Sequence, residues 1–214
     1  MLMQPKNVYA VFLAIIIVWI GAWILKVNLE PAVSWLTAGW GSFIYWTAAK
    51  LLIWILPALW LLKRAGTSLF SLLNLSNWKE WLKWGGGIGL VIALTGIILN
   101  YLQGRPILPT EFSTSLLNVL IIAPIFEEIL VRGALLTHLR QSYSFAAANI
   151  ITSVMFLILH VPGWYFMGVL VDNLTQPAGG ALSIFLCSLA FGYAAYRSDS
   201  VMGGILAHFL NNLF

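Results

Sequence analysis

Six side chains in a run of otherwise apolar sequence stand out as chemistry. Glu127 and Glu128 are adjacent, Arg132 follows within the same stretch, and His160, His208 and Asn212 sit in two later apolar stretches. A charge near the centre of a bilayer costs roughly 2.5–3.5 kcal/mol on insertion scales, so three of them in one helix demand partners or a use. Glu128 and Arg132 are i and i+4 with the acid first, the favoured order for a helical ion pair. Glu127 is five residues before Arg132 and rotated by ~100° from Glu128, which leaves it free. One arginine cannot neutralise two carboxylates, so a purely structural ion network is the poorer account. His208 and Asn212 share a helix face.

Such a set suits hydrolysis of an amide. A carboxylate out of water is a stronger base than one at the surface, and an imidazole can share the proton and return it to the leaving amine. The oxyanion needs N–H donors, which a histidine and an asparagine on one face provide. Pro124, one turn before Glu128, cannot donate to the carbonyl of Leu120 and leaves room for water beside Glu127.

The elements that must hold these residues are membrane helices. Of the 214 residues 61% are hydrophobic and 8% charged, with a mean hydropathy of +0.92. A soluble domain carries roughly a quarter charged residues, so a water-soluble fold is excluded. The apolar runs are continuous rather than alternating, which excludes a porin-type barrel. We expect an all-α, polytopic transmembrane bundle of about seven spans with a buried site. Residues 1–113 form an N-terminal part and residues 114–214 a catalytic core.

The first span lies between Lys6 and Lys26; it is long for a signal h-region and no A-x-A site follows it. Span two runs from near Phe43 to Lys63-Arg64, with Pro57 and, without a clear role, Lys50 inside it. Residues 76–84 read as an interfacial helix with Asn77 as cap and Glu80 at N3. Span three is Gly85 to about Leu102, and Gly85 and Gly89 permit close helix contact. The Gly85–Gly87 run reads as a helix boundary. Beyond a polar stretch from Gln103 to Ser113 come span four (Thr114 to Leu139) and span five (Ser144 to Val161). A short surface or re-entrant piece (Gly163 to Val171), span six (Ala178 to Tyr196) and span seven (from Val201) complete the chain. The tryptophans read as interface anchors. Counting inward at ~1.5 Å per residue puts Glu127, His160 and His208 ~18, ~24 and ~11 Å from the inner end, all within the hydrocarbon. With the N-terminus in the cytoplasm, seven Lys and Arg fall on the inner side (Lys6, Lys63, Arg64, Lys79, Lys83, Arg140, Arg197) and two outside (Lys26, Arg105). The net charge of +4 is therefore topological, and no nucleic-acid partner is expected. The single cysteine, Cys187, excludes an intramolecular disulfide and a cysteine-built metal site.

Glu127-Glu128-x-x-x-Arg132, Phe156-x-x-x-His160 and His208-x-x-x-Asn212, in this order, resemble the CPBP family, the CAAX-protease and bacteriocin-processing (Abi) membrane proteins. The resemblance covers residues 114–214. It implies an intramembrane glutamic endopeptidase of the cell membrane without cofactor or metal, acting on a membrane-associated protein or peptide. By that resemblance Glu127 and His160 activate water and His208 and Asn212 stabilise the oxyanion. Glu128 and Arg132 support them, and Phe156 packs. Two other readings compete: a zinc protease using His160, His208 and a glutamate, which lacks a His-Glu-x-x-His pair, and a non-catalytic immunity or scaffold protein.

Overall fold

The computed structural model describes residues 5–176 and 178–214, the first two of these, Pro5 and Lys6, by backbone alone; the Lys6 side chain, counted above on the inner side, lies outside the described residues. All regular structure among them is helical. The helices are α1 (Pro5–Leu29), α2 (Gly39–Arg64), α3 (Leu69–Leu73), α4 (78–102), α5 (114–139), α6 (Phe145–Phe166), α7 (Leu170–Thr175), α8 (Ala181–Ser198) and α9 (Val201–Leu213). The chain is thus a polytopic helical membrane protein. Four helical stretches are long and apolar enough to cross: Asn7–Leu29, Gly39–Arg64, Leu69–Leu102 and Phe145–Phe166. Large apolar side chains on their outer faces point away from the bundle, as Leu13 and Ile17 do with 59% and 61% of their surface exposed; a surface of this kind suits acyl chains, not water. With 13 residues α9 rises only ~20 Å, so the expected seventh span covers part of a core ~30 Å thick.

Caps set the helix starts. Ser113, Ser144 and Ser200 each accept a backbone N–H from the first turn of α5, α6 and α9, from Leu116, Ala147 and Met202. Asp199 in the left-handed region ends α8 and allows the sharp reversal into α9. Two π turns sit just ahead of prolines. Leu51–Ile55 precedes Pro57 in α2, and Asn118–Ile122 precedes Pro124 in α5. Each proline lacks the N–H its helix needs, and the wider turn absorbs the mismatch.

Three expected boundaries are corrected. Residues 76–84 are no separate interfacial helix: a short 3₁₀ turn at Leu75–Asn77 runs straight into α4, and Gly85–Gly87 lies inside it, at the end of a π turn (Leu82–Gly86). Asn77 makes no capping bond; its amide instead donates to the carbonyl of Ser198 at 2.8 Å, which ties α4 to the α8–α9 turn. Gly163–Phe166 is neither re-entrant nor a surface piece but the last turn of α6, which continues through Pro162 to bury Trp164 against the bundle.

The glycine pattern works as its spacing suggested. A Cβ on Gly85 would stand 2.5 Å from the carbonyl oxygen of Gly203, and one on Gly89 would stand 3.0 Å from Cα of Ala207. Two small-residue pairs, each four apart, therefore face one another across α4 and α9 at backbone contact. A Cβ on Gly204 would stand 2.6 Å from Oε2 of Glu128. That absence of a side chain lets α9 lie directly on the charged part of α5.

Candidate active site

A cavity of about 480 Å³ lies between α1, α2, α5, α6, α8 and α9. Glu127, His160, His208 and Asn212 all border it, as do Lys50 and Asn118. Four residues expected to do chemistry, drawn from three helices, are thus gathered around one space.

Glu128 and Arg132 form the predicted pair, with Arg132 Nη1 2.9 Å from Glu128 Oε1 and both side chains essentially fully buried. Arg132 Nη2 donates to the carbonyl and, at 2.6 Å, to the hydroxyl of Ser188 on α8. The guanidinium lies over the rings of Phe156 (5.0 Å) and Phe191 (5.8 Å), a planar cation held between aromatic faces. Glu128 Oε1 also meets His208 Nδ1 at 3.1 Å. The other nitrogen of that ring, Nε2, is 4.0 Å from Glu127 Oε2. Phe191 stacks flat on the same imidazole, with centroids 4.7 Å apart and planes 13° apart. Arg132 therefore positions Glu128, Glu128 and Phe191 position His208, and Nε2 is turned toward the cavity.

His160 is oriented differently. Its Nδ1 is 2.9 Å from the carbonyl of Phe156, one turn earlier. A carbonyl only accepts, so Nδ1 carries the hydrogen and Nε2 of the neutral ring carries the lone pair. Phe156 packs between the two imidazoles, at 4.8 Å from His160 and 5.8 Å from His208. Among the described residues no hydrogen bond joins His160 to Glu127; both border the same cavity.

Asn212 donates its amide to the carbonyl of Val119, at 2.9 Å, and accepts from Asn211 at 2.9 Å. Val119 belongs to the π turn ahead of Pro124, so the last turn of α9 satisfies a carbonyl in the distorted part of α5. An amide nitrogen has two hydrogens, and one remains.

The free carboxylate of the sequence reading is not free. Lys50 Nζ lies 3.5 Å from Glu127 Oε1 and 3.5 Å from Asn118 Oδ1. Two carboxylates thus meet two cations, Glu128 with Arg132 and Glu127 with Lys50. The charge imbalance inferred from span four alone disappears because its second cation comes from span two. A lysine inside an apolar span was itself a signal that a carboxylate must be near. The tryptophans are corrected too. Trp19, Trp23, Trp46 and Trp54 line the cavity, Trp19 and Trp54 being almost fully buried, while others such as Trp78 and Trp40 remain exposed. Ser188, Asn118 and Asn211 are contacts the sequence did not announce; nothing in their spacing marks them. His138, near the C-terminal end of α5, is buried, its Nδ1 3.2 Å from the carbonyl of Ala134.

Among the described residues no three His, Cys, Asp or Glu side chains come together as a metal-binding group. The family model described as type II CAAX prenyl endopeptidase Rce1-like matches residues 109–214, from just before α5 to the end of α9. No curated protein and no solved structure matches the chain.

Proposed function

The C-terminal half of this chain belongs to the CAAX-protease (CPBP) family of intramembrane endopeptidases, and on that premise we propose that Glu127 and His160 activate a water that cleaves a peptide bond of a membrane-associated substrate. The reading makes the chain a metal-free, glutamic-type hydrolase of the cell membrane. It rests above all on one arrangement: Glu127, His160 and His208 border a single cavity in which a water and a scissile amide fit together.

In the forward step Glu127 accepts a proton from the water as its oxygen bonds to the substrate carbonyl carbon. The carbonyl π electrons move onto oxygen. With both ring nitrogens protonated, His208 donates from Nδ1 to Glu128 and from Nε2 to that oxyanion, and the remaining Asn212 N–H adds a second donor. The oxyanion then collapses and the C–N bond breaks. The leaving nitrogen takes the proton held by Glu127, directly or through Nε2 of His160. The products are a carboxylic acid and an amine, and Glu127 is again a carboxylate. The Arg132–Glu128 pair takes no proton; it holds His208 in place.

The matching family is described as a CAAX prenyl endopeptidase, and a lipidated peptide is the natural first probe for this chain. Comparing membrane peptides from cells carrying the native chain or Glu127→Ala tests activity and finds the substrate at once. A cleavage product present only with the native chain is the expected result; identical peptide sets, with both proteins folded and present in the membrane, overturn the reading.

A further inference from the structure

The cavity is closed in the middle of the bundle and open at one end. Its floor is buried, with Phe156, Phe191 and His208 between 1% and 5% exposed. Its rim is not: Ser115 and Val119 at the start of α5 and Met167 just past α6 are exposed, and Asn212 in the last turn of α9 is half-buried. All of these sit at the same end of the bundle. There Asn100, near the close of α4, donates to the carbonyl of Phe214 at 2.7 Å, and Lys26 at the close of α1 donates to the carbonyl of Leu36 at 2.6 Å. The opposite end is tied by bonds from Asn74 to the carbonyl of Asp199 and from Asn77 to that of Ser198. No residue bordering the cavity comes from that second end.

The two ends differ sharply in charge. The closed end carries Lys63, Arg64, Lys79, Lys83, Arg140 and Arg197 against Glu80 and Asp199, six cations and two anions, a net +4. The open end carries Lys26 and Arg105 against Glu30, Glu111 and Asp172, a net −1, and Lys26 is itself paired with Glu30. All connecting segments are short, the condition under which Lys and Arg retained on the cytoplasmic side decide orientation.

We infer that the cavity faces away from the cytoplasm, so that its substrates are membrane-anchored polypeptides already translocated, cleaved in the stretch where they leave the outer surface of the bilayer. This rests on the hydrolase reading above and adds the side from which the peptide arrives. A cytoplasmic peptide would meet the closed, basic end and find Arg132, Leu136 and the α8–α9 turn between itself and Glu127. From the open end a segment passes Asn118 and Asn212 and reaches Glu127 with no helix to displace.

Two measurements test this, one independent of activity. In a Cys187→Ser background, Thr110→Cys reports the open end and Ser142→Cys the closed end; both positions are exposed. A membrane-impermeant maleimide applied to spheroplasts should label the cysteine at 110 and spare that at 142 until the membrane is broken. The reverse pattern overturns the inference. Separately, the native chain in oriented vesicles is offered a quenched fluorescent peptide tethered to an acyl chain and bearing a polyanionic tag that cannot cross. Cleavage is expected in right-side-out vesicles, at least tenfold faster than in inside-out ones. Cleavage confined to inside-out vesicles overturns the orientation and leaves the hydrolase reading intact. Cleavage in neither overturns the hydrolase reading for this probe class, while the labelling still decides the orientation.

Discussion

Lys50 Nζ and Glu127 Oε1 lie 3.5 Å apart across α2 and α5, 77 residues apart in sequence, with 12% and 8% of their side chains exposed. This contact joins the half of the chain that lies outside the family match to the residue on which the proposed chemistry turns. It also gives this carboxylate in the middle of the bundle a cation of its own, apart from the Arg132–Glu128 pair. A buried pair is a weak source of net stability but costly to break from one side, because the survivor stays charged and unpaired.

Removing either partner alone should therefore cost more than removing both. Lys50→Met and Glu127→Gln are each expected to lower the thermal stability of the purified protein, and the double variant to be less destabilised than their sum, with a coupling of about 0.5–3 kcal/mol. Melting curves of the four proteins in one detergent measure this; strict additivity would mean that the two groups do not interact.

The same lysine should matter to turnover. Lys50→Arg keeps a cation beside Glu127 and should retain most activity on a lipidated peptide probe, whereas Lys50→Met should lower kcat with little change in KM. A change confined to KM would assign Lys50 to substrate binding instead.

Asn212 and Asn211 are neighbours that differ in expected weight. Loss of one oxyanion donor costs ~2.7–4 kcal/mol in known enzymes, so Asn212→Ala should reduce kcat by about 10²–10³-fold. Asn211→Ala removes a bond to Asn212 and a contact from Cys187 and should reduce it far less. Equal losses in the two variants would show that the amide of Asn212 has no special part in the reaction.

Arg132 is held on every side, by Glu128, Ser188, Phe156 and Phe191. Arg132→Met leaves Glu128 buried and unpaired and is expected to cost about 3–5 kcal/mol of stability. Arg132→Lys restores the charge but not the planar fork that reaches both Glu128 and Ser188, and should fall between the two. Yields of folded protein and melting temperatures read this out; a native-like Arg132→Met would mean that Glu128 is not ionised in the fold.

A metal chelator separates the hydrolase reading from its zinc-dependent rival. Cleavage of the lipidated probe should persist after incubation with 1,10-phenanthroline, and its loss with restoration by added zinc would reverse the assignment.

Much of the arrangement was legible along the chain because it is local to one helix or one repeat. The i, i+4 spacing of Glu128 and Arg132 dictates their contact whatever surrounds them, since 3.6 residues per turn brings the two side chains together. Gly85 and Gly89 announced a close helix crossing by their small size, although not that Gly203 and Ala207 would lie across from them. The membrane class followed from composition, because a chain with 8% charged residues has nothing with which to face water.

What spacing could not supply was contact between distant helices, and that is where the expectations failed. Lys50 looked stranded because its partner is on another helix, and Glu127 looked free for the same reason. Tryptophans read as interface anchors turned out, for Trp19 and Trp54, to wall the cavity, because an indole suits a buried polar-edged space as well as a headgroup layer. Span five was expected to close at Val161, yet the helix runs on through Pro162 to Phe166, with Trp164 buried in its last turn. Sequence determined that the chain is a bundle of membrane helices and which charges they carry into the bilayer, since both follow from hydropathy and residue type. Only the tertiary structure decided which charge met which and at which end the cavity opened, because those depend on how the helices lie side by side.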